Sequence, residues 1–202
     1  MPKYGMLIDL RRCIGCHTCT MACKVENFTG PGIFWSFVED EELGSYPLVS
    51  RRFIPRLCMH CETPACVDVC PTGASYRRED GIVLIDYDKC VGCQSCIVAC
   101  PYGARYFVRQ DTKGYFGTEL IPYEKIGLHK HKPGVVEKCT LCHHRVENGE
   151  EPACVRACPA EARVFGDLND PNSKVSKLIR SRHGFQFHKD LGCEPSVYYL
   201  AP

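Results

Sequence analysis

Sixteen of the 17 cysteines in this 202-residue chain stand in four groups of four, and no other feature restricts the fold as strongly. The first group, CIGCHTCTMAC, sets Cys13, Cys16, Cys19 and Cys23 at gaps of two, two and three residues. The second, CMHCETPACVDVCP, spaces Cys58, Cys61, Cys66 and Cys70 by two, four and three. The third, CVGCQSCIVACP, returns to two, two and three with Cys90, Cys93, Cys96 and Cys100. The fourth opens an eleven-residue gap between CTLC and CVRAC, giving Cys139, Cys142, Cys154 and Cys158. Only Cys193 is left over.

Three chemistries use cysteine sets of this size. Disulfides suit small secreted domains, and the opening MPKYGMLIDLRRCIGC reads as carrying no export signal. Structural zinc is a common user of paired CxxC elements, and His60, His143 and His144 lie inside the groups. Zinc leaves two features without a role: the third cysteine of CxxCxxC, and the prolines Pro71, Pro101 and Pro159 that follow three groups. The run C-x2-C-x2-C-x3-C-P accounts for both as a bacterial ferredoxin signature, three thiolates around one 4Fe–4S cube and the fourth reaching to another. Sixteen ligands then make four cubes, and with four thiolates for each cube the three histidines are expected to be surface or hydrogen-bonding residues. Cys193 reads as a buried or idle thiol.

The spacing has a physical reason. Two-residue gaps let a tight loop turn thiolates and backbone N–H groups toward one cube, whose sulfurs accept those hydrogen bonds. Gly15 and Gly92 fall where such a loop needs freedom from a Cβ. The three-residue step is close to one helical turn, and the proline after it stops the helix. Lys24 stands where the other groups have proline, and its charge is expected to raise the potential of a neighbouring cluster.

MLIDLRRCIGCHTCTMAC and VLIDYDKCVGCQSCIVAC align without gaps, and CPYGARYF and CPAEARVFGDL descend alike into strands. The stretch from Cys70 to Cys90 holds two alternating apolar runs about Asp80–Gly81, which predicts a hairpin. These patterns predict an α+β fold of two ferredoxin-like double 4Fe–4S modules related by pseudo-symmetry, with loop insertions and a C-terminal tail. Residues 1–57 and 101–170 make the outer module, from the first and fourth groups; residues 58–100 make the inner one, from the second and third; residues 171–202 are a helix and tail. The helix is expected from Asp170 as N-cap and Pro171 at the first position, with Val175, Leu178 and Ile179 on one face and Gly184 as the stop. Lys174, Lys177, Arg180, Arg182 and Lys189 meet no acidic residue before Asp190, and read as a solvated face.

No stretch approaches the roughly 18 apolar residues of a membrane span, and a net charge of +1 argues against nucleic-acid binding. No Ser–His–Asp set, phosphate-binding glycine loop or paired carboxylates stand out. The chain reads as an electron conductor with no catalysis of its own.

The four groups, with ACKVEN, CPTGA, CPYGAR, EKCTLCHHR and FGDL, resemble the four-cluster electron-transfer (beta) subunits of molybdopterin oxidoreductases. The nearest likeness is to those of polysulfide, thiosulfate and dimethyl sulfoxide reductases. It covers nearly the whole chain and departs at the 101–138 insertion. The resemblance implies ligand sets: Cys13, Cys16, Cys19 and Cys158 for a first cluster, and Cys23, Cys139, Cys142 and Cys154 for a second. Cys58, Cys61, Cys66 and Cys100 would hold a third, and Cys70, Cys90, Cys93 and Cys96 a fourth. It also implies a large catalytic subunit with a molybdenum or tungsten bis-pterin centre, often with a quinone-reactive membrane anchor. The complex would sit on the cytoplasmic face of a membrane, or be exported folded with a signal-bearing partner. A free-standing polyferredoxin or hydrogenase-type subunit is the alternative, and a zinc-organised binding module the remote one.

Overall fold

The computed structural model describes residues 1–109, 114–117, 120–127 and 130–202, so part of the 101–138 insertion lies outside the described residues. A strand follows each cysteine group and pairs antiparallel with a strand that leads into another group. Between the first and second groups, β2 (Ser36–Ser45) pairs with β3 (Leu48–Leu57). Between the second and third, β4 (Ser75–Arg77) pairs with β5 (Val83–Ile85), and Gly81, at φ +85°, makes the turn at the position the Asp80–Gly81 signal indicates. β6 (Tyr106–Phe107) and β7 (Val136–Glu137) close the insertion between the third and fourth. After the fourth group, β8 (Arg163–Asp167) runs back antiparallel to β1 (Tyr4–Asp9), the strand that leads into the first.

β1 is also paired on its other edge, in parallel, with β9 (Val197–Leu200) from the chain's end. As the central strand of the order β8-β1-β9 it is covered on both faces, so Met6, Leu7 and Ile8 are all buried instead of alternating. The acidic run in β2 lies opposite basic residues of β3. Arg51 bonds Asp40 at 2.6 Å and Arg52 bonds Glu41 at 2.6 Å, cross-strand pairs that favour this register.

Proline decides the helix lengths. Where it follows the group, α2 (Ala65–Asp68), α3 (Ser95–Val98) and α6 (Ala153–Arg156) are single turns, and the last cysteine sits just past each. With Lys24 in its place, α1 (Thr18–Asn27) runs ten residues and carries Cys19, Cys23 and Asn27 on one body. The insertion contributes α4 (Pro122–Gly127), and the fourth group α5 (His143–Val146). One apolar core joins the parts: Met6, Ile8, Trp35, Ile54, Leu57, Met59, Ile82 and Tyr199 pack with Cys19, Cys23, Cys58, Cys139, Cys154 and Cys193.

The C-terminal helix, α7, spans Lys174–Ser181 and starts later than its cap signals suggest. Asp170 instead accepts the Asn172 N–H at 2.8 Å, a side-chain turn that keeps Pro171 outside the helix, and Ser173 is the N-cap. Val175, Leu178 and Ile179 do share a face that packs against Leu7 and Leu200, Val175 fully buried and the other two partly so. The Ser173 hydroxyl accepts the Ser176 N–H at 3.2 Å and donates to the Asp167 carbonyl at 2.7 Å. Ser173→Ala is therefore expected to destabilise the fold by about 1 kcal/mol, read as a lower unfolding temperature with iron content unchanged. The basic face is not wholly bare: Arg182 pairs with the buried carboxylate of Asp9.

Candidate metal centres

The loops CIGCHTC and CVGCQSC share one backbone path. Gly15 and Gly92 both have φ +68°, and the residues after the second cysteine, His17 and Gln94, are left-handed at +56° and +62°. Both glycines are also tightly approached: a Cβ would strike the Phe53 ring at Gly15 and the carbonyl of Gly134 at Gly92.

The fold gathers eight of the sixteen grouped cysteines around two cavities. Cys70, Cys90, Cys93 and Cys96 line one cavity, and Cys58, Cys61, Cys66 and Cys100 line another. Cys13 lies within electrostatic reach of Cys19 and Cys158, and Cys23 of Cys139, Cys154 and Cys142. Burial pushes the thiols of Cys23, Cys61 and Cys139 up, and those of Cys66 and Cys142 to about 11, so in the metal-free chain they are neutral and loading must expel their protons. Cys193, far away in sequence, lines the second cavity with its four cysteines.

An iron–sulfur cube fits these sites. Its irons each take one protein thiolate, so the sulfurs must stand around a cavity and not around a point. N–H groups already aim at the thiols, as charge-moderating donors should: Ser75 toward Cys70 at 3.4 Å, Ala162 toward Cys158 at 3.3 Å, Leu141 toward Cys139 at 3.4 Å.

Sequence reasoning missed several residues that touch these sites. Arg105 is buried, lines both cavities, and donates to Cys66 Sγ at 2.9 Å and Ser75 Oγ at 2.8 Å. Arg163 is buried and donates to Cys19 Sγ at 3.4 Å and Ser36 Oγ at 3.0 Å. The signal was present, since both arginines occupy the same place in CPYGAR and CPAEAR. Buried Lys138 donates to the carbonyls of Val83 and Cys139. His60, also buried, accepts the Val83 N–H on Nδ1 at 3.1 Å; burial and then the charges of Lys138 and Arg105 hold it neutral. His144 bonds Glu26 at 2.8 Å and His143 lies 3.4 Å from Glu147. The Lys24 ammonium is hydrogen-bonded to the carbonyls of Gly30 and Ile33, at 3.1 and 2.8 Å, and to the Tyr115 hydroxyl.

A chain of contacts ties the insertion to one site. Asn27 Nδ2 donates to the Cys23 carbonyl at 3.0 Å and lies 3.6 Å from Cys23 Sγ and 3.9 Å from Cys142 Sγ. The Asn27 carbonyl is held by His131 Nε2 at 2.8 Å, and His131 Nδ1 is held by Glu137 at 2.6 Å. Burial alone lowers the His131 pKa, but the Glu137 hydrogen bond and charge outweigh it and the net shift is upward. A raised folded pKa means the clasp contributes fully below the ordinary histidine value of about 6.5 and is lost as pH rises through the raised one. The drop in unfolding temperature from pH 6 to pH 8 is expected to be smaller in His131→Gln than in the unsubstituted protein.

Exposure differs among the sets. Cys16 and Cys93 are exposed, each beside an exposed apolar residue, Ile14 at 63% and Val91 at 67%, whereas Cys23, Cys139, Cys142 and Cys154 are all buried.

Residues 12–74, and again 49–115 and 113–168, match 4Fe–4S dicluster domains. The chain is 46% identical to the B subunit of selenate reductase from Mesobacillus selenatarsenatis, over 98% of this chain and 72% of that one. It is 46% identical to the iron-sulfur B subunit of a putative dimethyl sulfoxide reductase from Halobacterium salinarum, over 99% and 79%. Identity to the B subunit of sulfite dehydrogenase from Allochromatium vinosum is 41%, over 99% and 83%.

Proposed function

The chain belongs to the family of iron–sulfur B subunits of molybdopterin oxidoreductases, and from that premise we propose that it conducts electrons through four 4Fe–4S clusters between a molybdenum- or tungsten-pterin catalytic subunit and a quinone-linked anchor or other redox partner. Each cluster, when bound, takes up and gives back one electron. Cys13, Cys16, Cys19 and Cys158 would hold the first; Cys23, Cys139, Cys142 and Cys154 the second; Cys58, Cys61, Cys66 and Cys100 the third; and Cys70, Cys90, Cys93 and Cys96 the fourth. The first and fourth cysteine groups then form one module and the second and third its pseudo-symmetric counterpart.

The observation that carries this reading is the gradient of exposure. The two sets proposed for the ends of the relay each have one thiol at the surface, Cys16 and Cys93, while the second set is wholly enclosed. A relay needs its ends within reach of partners and its middle protected from water, because burial and hydrogen bonding set potential. Ile14 and Val91 would lie at the two docking surfaces, where an apolar contact excludes water beside the outermost thiolate. Among the described residues no helix is long and apolar enough to cross a membrane. In the proposed assembly quinone contact falls to a separate anchor subunit. The assembly would sit on the cytoplasmic face or leave the cell folded with a signal-bearing partner.

The test is anaerobic purification with bound partners and elemental analysis. About 16 iron atoms per chain, with molybdenum or tungsten in a heavier companion, is the expected result. Iron with neither metal would favour a free-standing polyferredoxin or a hydrogenase-type subunit. Zinc in place of iron would overturn electron transfer altogether.

A further inference from the structure

Among the described residues, three cations are buried where an ordinary core has none: Arg163, Lys138 and Arg105, each no more than 4% exposed. Their hydrogen-bond partners are thiols, serine hydroxyls, carbonyls and a thioether. Among the described residues none of the three forms an ion pair with a carboxylate. A buried charge without a counter-charge costs several kcal/mol, and a guanidinium cannot escape by losing its proton. The compensating negative charge must therefore come from what surrounds them, and that is the cysteine sets.

Their positions follow an order. Arg163 touches Cys19 and acts on Cys154, one thiol from each of the first two proposed sets. Lys138 donates to the carbonyl of Cys139, of the second set, and to that of Val83, which lines the cavity of the third. Arg105 touches Cys66 of the third set, acts on Cys96 of the fourth, and lines both of their cavities. One buried cation thus lies between each successive pair of sets. The two arginines are also held alike, each by the hydroxyl of a buried serine, Ser36 or Ser75.

We propose that Arg163, Lys138 and Arg105 are potential-setting residues, one in each gap of the relay, and that each stabilises the reduced state of the clusters on its two sides. This rests on the four-cluster reading above. Reduction adds one electron, supplied by the redox partner, to a cluster already negative; no bond is made or broken. The arginines already hold their protons, so none need accompany the electron. Because net charge near the cluster sets its potential, a fixed positive charge raises it. A cation shared by two neighbours raises both, so it favours occupancy of the pair without opening a large step between them.

The experiment is an EPR-monitored redox titration of the whole complex carrying Arg105→Gln, Lys138→Gln or Arg163→Gln, with iron counted in each. The expected result is a paired fall in potential: third and fourth clusters for Arg105→Gln, second and third for Lys138→Gln, first and second for Arg163→Gln. Arg105→Lys and Arg163→Lys keep the charge and should keep most of the potential. Full iron with all potentials unmoved, or shifts in the wrong pair, would overturn the proposal while leaving the relay intact. A deficit of iron in the unsubstituted complex would instead defeat the four-cluster reading. If a glutamine variant loses iron, the unsubstituted complex labelled with guanidino-15N arginine decides the arginine roles. Hyperfine coupling of that nitrogen to the reduced clusters is expected, and its absence would count against them.

Discussion

Cys90→Ser is expected to leave about 12 of about 16 iron atoms in the chain, because under the proposed four-cluster arrangement one cube is lost and three are kept. Cys90 lines the cavity formed with Cys70, Cys93 and Cys96, and its site is separated from the second cavity by Arg105. Cys23 and Cys154, from the outer groups, are carried by α1 and α6, and no cysteine of those groups lines this cavity. EPR of the reduced protein should therefore lose one signal and keep those of the proposed outer module. Electron delivery from the partner at the Cys93 end should fail even though the rest of the relay can still be reduced chemically. Disappearance of all four signals from a folded chain would refute the two-module arrangement.

Gly92→Ala is expected to be much more damaging than Gly15→Ala, although the two loops have the same φ. The left-handed backbone costs an alanine about 1–2 kcal/mol at either position. The difference lies in what the new methyl meets. At Gly15 it strikes the edge of the Phe53 ring, a half-buried side chain that can turn aside. At Gly92 it strikes the carbonyl of Gly134, which is main chain and is itself tied down, since the Gly134 N–H bonds Val108 at 2.8 Å. The loop must give way instead, and with it the thiols of Cys90 and Cys93. Iron per chain after purification, and the temperature at which the brown colour is lost, should both fall in Gly92→Ala and change less in Gly15→Ala. Equal losses would mean that backbone strain alone governs the loop.

What was legible in the sequence was what near neighbours along the chain decide. The CxxCxxC spacing identifies the cluster type because three thiols and a glycine turn within a few residues must wrap one object. The Asp80–Gly81 turn reads correctly because a hairpin is local, and the prolines after three groups stop their helices for the same reason. The start of α7 was misread within its own few residues, because Asp170 had two local uses, capping a helix or closing a turn, and the turn prevailed.

The tertiary structure alone decided which distant groups meet. No local pattern tells that β9 lies parallel to β1, that Cys193 joins a cavity lined by four cysteines more than ninety residues earlier, or that His131 clasps Asn27 across the insertion. Nor does spacing reveal that Arg105 reaches Ser75 while Arg163 reaches Ser36. Ligand type is written in short-range spacing, where chain geometry leaves few choices. The electrostatic surroundings of those ligands arise from contacts between segments far apart in sequence, and these exist only once the apolar core has brought the segments together.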